Sequence, residues 1–400
     1  MSGALKRDEW KTVRLGDVCD DKVEKLSSSS QGEIYYVDIA SINNETKEIV
    51  SPQRIDSATA PSRAKQILKK NDVLVSTVRP NLNAVAIHEI DYDIPTIAST
   101  GFCVLRCHNS LDSHYTFYFC QSDYFIKSLV KVATGASYPA VRNSDVLGVK
   151  IPLPPLDIQR RIADTLDKVT ELITLRKTQL EKLDELVKAR FVEMFGDLAS
   201  PECKWNREKL VDACVNSDDI KCGPFGTQLS KDEYVDTGVA VWEIPQINSL
   251  FVTTPTHYLT EEKARQLEAY SIKSGDIAMS RKGNVGKCAV FPSNFEAGII
   301  HSDVLRIRVD DSRVLPLFMM HQLHYSGAVQ HQIELVSSGA IMAGINVTKL
   351  KQIFIHIPPM ELQNQFVAFV EQTDKSKAII QQSLDTLETL QKSLMQEYFG

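Results

Sequence analysis

Two stretches of this chain repeat one pattern at a constant offset of 204 positions. Val149–Gly196 reads VKIPLPPLDIQRRIADTLDKVTELITLRKTQLEKLDELVKARFVEMFG, and Ile353–Gly400 reads IFIHIPPMELQNQFVAFVEQTDKSKAIIQQSLDTLETLQKSLMQEYFG. Each copy is a short apolar strand ending in Pro-Pro, then a long helical pattern, then a Phe-Gly stop. Pro154-Pro155 maps onto Pro358-Pro359, Gln159 onto Gln363, and Phe195-Gly196 onto Phe399-Gly400. A module duplicated with strict spacing specifies a molecule with two similar ends.

The duplication reaches beyond these blocks. Trp10–Cys19 matches Trp205–Cys214, Tyr35–Asn43 matches Ala240–Asn248, and Asn71–Ser76 matches Gly275–Ser280. The intervening loops differ, as in one scaffold carrying two different surfaces. Short β-rich runs at 34–42, 72–78, 83–88, 102–107 and 147–153 are bounded by turn residues and read as strands. One helix-length stretch, Tyr115–Val132, lies near the end of the first globule, with Pro316–Leu335 as its counterpart. The expected fold is α+β: a mixed α/β globule over 1–155, a helix over 156–196, a second globule over 197–359 and a second helix over 360–400.

Both helices carry a seam. Positions 162, 166, 169, 173, 176, 180, 183, 187, 190 and 194 hold Ile, Leu, Val, Ile, Arg, Leu, Leu, Val, Arg and Met. An apolar repeat of 3.5 residues makes a coiled-coil seam. Two such helices in one chain most simply pair with each other, and antiparallel pairing as a coiled coil sets the globules at opposite ends about a pseudo-twofold axis. A helix of about 40 residues rises roughly 60 Å, against about 34 Å for one turn of B-DNA. The second seam is thinner, with Lys377 and Gln391 where the first has Ile173 and Val187. Those mismatches, with Arg176 and Arg190 opposite an apolar copy, set register or mark partner contacts.

Charge restrains the reading. The net charge is −6, and no segment is cationic as a whole: 1–155 carries 18 basic and 18 acidic groups, and 197–359 carries 16 and 19. Any phosphate contact must come from local clusters, so such a chain binds DNA weakly by itself, or with help from a more basic partner. The eight cysteines are scattered without a C-x-x-C, which indicates reduced thiols and a cytoplasmic setting. No apolar run approaches a membrane span, and MSGALKRDEWK has no signal-peptide core.

On these residues the chain resembles the DNA-specificity (S) subunits of type I restriction–modification systems. The likeness covers essentially the whole chain. It rests on IPLPPLDIQRRIADTLDKV and IHIPPMELQNQFVAFVEQTD, on the Trp-x-x-x-x-Leu-x-Asp-x-Cys openings, and on DVLVSTVRPNLNAVAI and GDIAMSRKGNVGKCAVF. The resemblance implies two target-recognition domains, each reading half of a bipartite, asymmetric site. It implies helices that dock two methyltransferase subunits and help recruit the restriction/translocase subunits. S-adenosylmethionine, ATP and Mg²⁺ would act in those partners, and this chain would be non-catalytic.

Candidate DNA-binding residues fall on turns after strands. Ser280–Lys287 holds Arg281, Lys282, Asn284 and Lys287 with two glycines, which lets backbone and cations approach phosphates. It lacks the G-x-x-x-x-G-K-[ST] of a nucleotide loop. Its first-half counterpart offers Arg79, Asn81 and Asn83, side chains suited to guanine and adenine edges. Tyr138, Arg142 and Asn143 follow a Gly135 turn, and Asn346 with Lys349 follow Gly339; the two asparagines also suit helix caps. Gln228 sits on a Gly-Pro-Phe-Gly turn, where the first half has SSSSQ.

Covalent chemistry is not indicated. There is no adenosylmethionine loop or Asn/Asp-Pro-Pro-aromatic tetrad, and the E-x-K fragments lack a placed upstream Asp. His321 and His324 read as an ordinary helix surface rather than a metal site. Cys103, Cys107 and His108 read as core or edge of a strand. A two-headed coiled-coil scaffold that binds proteins is the alternative from another class.

Overall fold

The computed structural model describes residues 10–27, 31–196, 203–338 and 344–400. It divides into two compact units, one made of 1–178 with 381–400, the other of 179–380, so each contains part of both long helices.

In the first unit, Lys11–Arg14 pairs antiparallel with Lys150–Leu153, the strand that leads into Pro154-Pro155. A four-stranded sheet runs in the order Gln53–Asp56, Glu33–Val37, Thr96–Ser99, Ala64–Ile67, with the two central strands parallel. A three-stranded antiparallel sheet sets Asp72–Ser76 between Val85–His88 and Phe102–Leu105. All five residues of Asp72–Ser76 are buried, which is why DVLVS reads as a continuous run rather than an alternation.

The second unit repeats the plan. Asn206–Lys209 pairs with Phe354–Ile357, Val239–Trp242 runs parallel to Gly298–Ile300, and Ile277–Ser280 lies between Val304–Ile307 and Cys288–Val290. The same ion pair stitches each sheet: Arg106 grips the buried Asp72 at 2.7 and 3.0 Å, and Arg308 grips the buried Asp276 at 2.6 and 2.7 Å.

Two sequence expectations shift. The stretches at 115–132 and 316–335 each break into two helices, Ser113–Phe119 then Asp123–Val132, and Pro316–Tyr325 then Gly327–Val336. Ser122 and Ser326 cap the second helices by accepting from the N–H groups of Phe125 and Val329, and apolar periodicity conceals that break. The strand expected at 147–153 starts only at Lys150, because Asn143–Leu147 is a short helix whose Asp145 accepts the Arg142 N–H.

The long helices are Leu156–Phe195 and Met360–Phe399. Gln159, fully buried, holds the start of the first: its amide donates to the carbonyls of Pro154 and Ser110 and accepts from the Asp112 N–H. Gln363 does the same for the second, with Pro358, Arg313 and Leu315. Every seam position of both helices is buried or half-buried. In the first unit Gln391 donates to Thr170 at 2.9 Å and Lys177 meets Glu388 at 3.3 Å; in the second Lys377 meets Asp184 at 2.5 Å and Arg190 lies over Phe369. Within each unit, the paired segments therefore run in opposite directions.

The Phe-Gly stops complete the cores. Phe399 packs against Tyr115 and Phe119 in the first unit, ring centroids 5.2 and 5.8 Å apart. Phe195 packs against Phe318 and Phe366 in the second, at 4.9 and 5.6 Å. Gly196, at φ +73°, gives the first long helix its left-handed end. No helix among the described residues is long and apolar enough to cross a membrane.

Candidate nucleic-acid interface

In the first unit the chain leaves the buried strand Asp72–Ser76 and enters a one-turn helix, Pro80–Leu82, flanked by two left-handed residues, Arg79 (φ 51°) and Asn83 (φ 47°). The turn is clamped to a second loop: the Arg79 N–H donates to the Pro139 carbonyl at 2.7 Å, and the Val141 N–H to Thr77 at 2.9 Å. Gly135, at φ +106°, closes that second loop; a Cβ there would sit 2.8 Å from the Tyr138 carbonyl oxygen. The clamp sets the Arg79 guanidinium 4.5 Å from the centroid of the Tyr138 ring, which is 69% exposed. Asn81 and Arg142 are also exposed at this end. Asn83 turns inward: its side-chain amide donates to the Cys120 carbonyl and its main-chain carbonyl accepts the Lys47 ammonium at 2.6 Å, so its contribution is to hold the turn.

In the second unit, 281–287 is a tight loop between Ile277–Ser280 and Cys288–Val290, closed by Ser280 N–H to Lys287 O at 2.7 Å, with Gly283 and Gly286 both at positive φ. It too is clamped to the segment before the last short helix, through Ile345 N–H to Arg281 O at 3.1 Å. The Arg281 Nε–H donates to the Ile345 carbonyl, and its guanidinium lies 4.8 Å from the Phe225 ring, 46% exposed. Asn284 is exposed at the tip. Lys282 is ion-paired to Asp303 at 2.8 Å, and Lys287 donates to the Asn248 carbonyl at 3.0 Å, so both cations have internal partners. Gln228 lies near the ring, its oxygen accepting from Tyr270 at 3.0 Å and from the Phe225 N–H.

The structure thus brings Arg79 to Tyr138 and sets Asn81 and Arg142 at the same end of the fold, and it brings Arg281 beside a residue that the sequence did not single out, Phe225. The only sequence signal for Phe225 is an aromatic framed by turn residues in Gly223-Pro-Phe-Gly226; its partner lies far along the chain. Carboxylates also crowd the second site: Glu243 binds His257 at 2.7 Å, and His301 lies 3.8 Å from Asp303. Gly339 and most of SSSSQ lie outside the described residues.

Of the two candidate asparagine caps, Asn346 caps Val347–Leu350 by accepting the Lys349 N–H at 3.0 Å, whereas Asn143 is the first helical residue and Arg142 holds the cap position. His321 is a correction: it is buried in the core, not on a helix surface, because Phe318–Leu323 are buried on every side. Burial pushes its imidazole down to about 3, helped by His324 and Lys377. His324 accepts the Cys288 N–H at 3.0 Å. Cys103 is buried in its strand, and Cys107 is half-buried beside Cys19.

Known proteins match this chain over most of its length. The profile described as "Type I restriction modification DNA specificity domain" matches residues 7–185 and 225–389, and the chain belongs to that family, with two such domains in tandem. It is 27% identical over 126 residues to the type I restriction enzyme MjaVIII specificity subunit of Methanocaldococcus jannaschii, a match that takes in 30% of this chain and 29% of that one. It is 21% identical over 322 residues to the type I restriction enzyme EcoKI specificity subunit of Escherichia coli K12, covering 76% of this chain and 69% of that one. A chain solved in work on complex assembly and conformational transition of the type I R-M system superposes with a TM-score of 0.61 at 27% identity, over 98% of this chain and 97% of that one.

Proposed function

We propose that this chain is the sequence-reading subunit of a type I restriction–modification complex acting in the cytoplasm, with each target-recognition domain contacting one half of a bipartite, asymmetric DNA site. The observation that carries this reading is the contrast within the duplication. The frames of the two units coincide down to Gln159 and Gln363, while the clamped turns carry different side chains. A common frame with two different turns suits two different half-sites.

The long helices form an antiparallel coiled coil in this reading, supported by the opposite run of paired segments in each unit and by the buried seams. Their length fixes the gap between half-sites, and their outer faces dock two methyltransferase subunits and the restriction/translocase subunits. S-adenosylmethionine, ATP and Mg²⁺ then belong to those partners. Arg79, Asn81, Tyr138 and Arg142 contact one half-site, and Arg281, Lys282, Asn284 and Gln228 the other; Asn83 and Lys287 brace the turns. The balanced charge, with Lys282 partly neutralised by Asp303, suits a reader that relies on its partners for most of its affinity.

The test is a gel-shift series with the methyltransferase subunits present, on duplexes whose sites come from methylation mapping. Salt-dependent, sequence-selective binding is expected. Equal binding to all duplexes would leave the two-headed protein scaffold in its place. Four residues inserted near Thr174 should lengthen the preferred gap between half-sites, and an unchanged gap refutes the spacing role.

A further inference from the structure

We infer that each head reads a guanine through one ring-backed arginine, Arg79 in the first and Arg281 in the second, with Tyr138 and Phe225 as the positioning rings. The inference rests on the DNA-reading function proposed above and assigns it a base.

Three features of the pairs point this way. Each guanidinium lies over an exposed aromatic ring from a different loop, 4.5 Å from Tyr138 and 4.8 Å from Phe225. Among the described residues neither guanidinium pairs with a carboxylate, while Arg106 and Arg308 of the same sheets are each locked to one. Arg79 is exposed and Arg281 half-exposed, so a guanidinium held against a ring at either turn can still be met by an approaching acceptor. In Arg281 the Nε–H is already spent on the Ile345 carbonyl, so the two terminal amino groups remain as paired donors.

The duplication supplies the two turns, but neither the exact arginine position nor the ring. Arg79 and Arg281 differ by 202 positions rather than the 204 of the frame, Tyr138 lies in the loop before the last short helix, and Phe225 lies near the start of its unit. The same pairing built from positions that do not correspond points to a shared role at the surface. That role matches one base edge. Guanine alone presents two adjacent acceptors, O6 and N7, in the major groove, and arginine fits them with two parallel hydrogen bonds. A stacked guanidinium is oriented before the DNA arrives, so less conformational freedom is lost on binding. A phosphate contact carries no base identity, and lysine can make it as a point charge.

The experiment uses the full chain with its methyltransferase subunits on a duplex bearing the mapped site. Guanines of one half-site at a time are replaced by 7-deazaguanine, which lacks the N7 acceptor, and Arg79→Lys and Arg281→Lys are compared with wild type. The expected result is a loss of roughly 10- to 100-fold for each lysine variant at its own half-site. Wild type should lose a similar factor on the matching 7-deazaguanine duplex, and the variant should lose nothing further there. Lysine variants that bind like wild type, or that weaken equally on site and unrelated DNA, overturn the inference, as does a mapped half-site without a G·C pair. A selective wild-type complex indifferent to 7-deazaguanine sinks the guanine assignment alone. A wild-type complex with no preference among duplexes sinks the DNA-reading function and the assignment together.

Discussion

Asp72 and Asp276 stand 204 positions apart and are used in the same way. Each accepts a backbone N–H three residues before it, from Lys69 or Lys273, and holds a guanidinium from the neighbouring strand. Arg79 and Arg281 are also used alike, yet they are 202 rather than 204 positions apart, and one ring follows its arginine in the chain while the other precedes it. The first kind of likeness is inherited from the duplication and lies in the sheets. The second arises at the clamped turns, where the two heads otherwise diverge. A buried ion pair tolerates little change because removing one partner strands the other charge. A solvent-facing turn is free to vary as long as its clamp holds.

The comparison breaks most visibly at the helix ends. Phe399→Ala and Phe195→Ala should each cost about 3–5 kcal/mol, because each empties an aromatic cluster. Hydrogen exchange should locate the first loss in the unit of residues 1–178 and 381–400 and the second in 179–380. Unchanged protection in the first unit of Phe399→Ala would refute the role assigned to that ring. Next come Asp72→Asn and Asp276→Asn, each expected to cost about 3 kcal/mol in urea unfolding. The first should cost more, since the Arg106 side chain is 16% exposed and that of Arg308 28%. The reverse order would show that burial of the arginine does not set the cost of losing its partner.

The smallest effect is in the pH response. Burial lowers the imidazoles of His321, His324 and His356 in the second unit, so the unfolded chain takes up protons near pH 6.5 that the folded chain refuses. Stability from these groups is therefore lost as pH falls below about 6.5, by up to about 1.4 kcal/mol per pH unit for His321 until its folded value near 3. In the first unit His88 is lowered by burial, but His114 is raised, chiefly by its hydrogen bond to Asp167. The His114 contribution is full below about pH 6.5 and is lost as pH rises through the raised value, so it opposes His88. Between pH 7 and pH 5 the second unit should lose about 1–2 kcal/mol more than the first, measured as exchange protection corrected for intrinsic rates. His321→Leu should remove most of that difference.

Much of the frame was legible in the residues. The seam, the Pro-Pro entry and the Phe-Gly stop are local patterns, and a second copy made each readable. Gln159 stood out as a repeated residue, but its hold on Ser110 and Asp112 was hidden because those partners are brought in by tertiary folding. Periodicity carried straight through Ser122 and Ser326, where a hydroxyl cap breaks the helix without changing the apolar pattern. The turns at 79–83 and 281–287 could be found by composition. Their aromatic partners could not, since Tyr138 lies 59 positions from Arg79 and Phe225 lies 56 from Arg281.

Phe399 has one further consequence, for synthesis. The first head leaves the ribosome early, yet a ring that fills its interior is made long afterwards. At 5–20 residues per second the roughly 245 residues after position 155 take about 12–50 s, during which Tyr115 and Phe119 lack one of the rings they pack against. A nascent chain of this kind depends on its far end, and a premature stop codon well downstream would injure the head that was translated first.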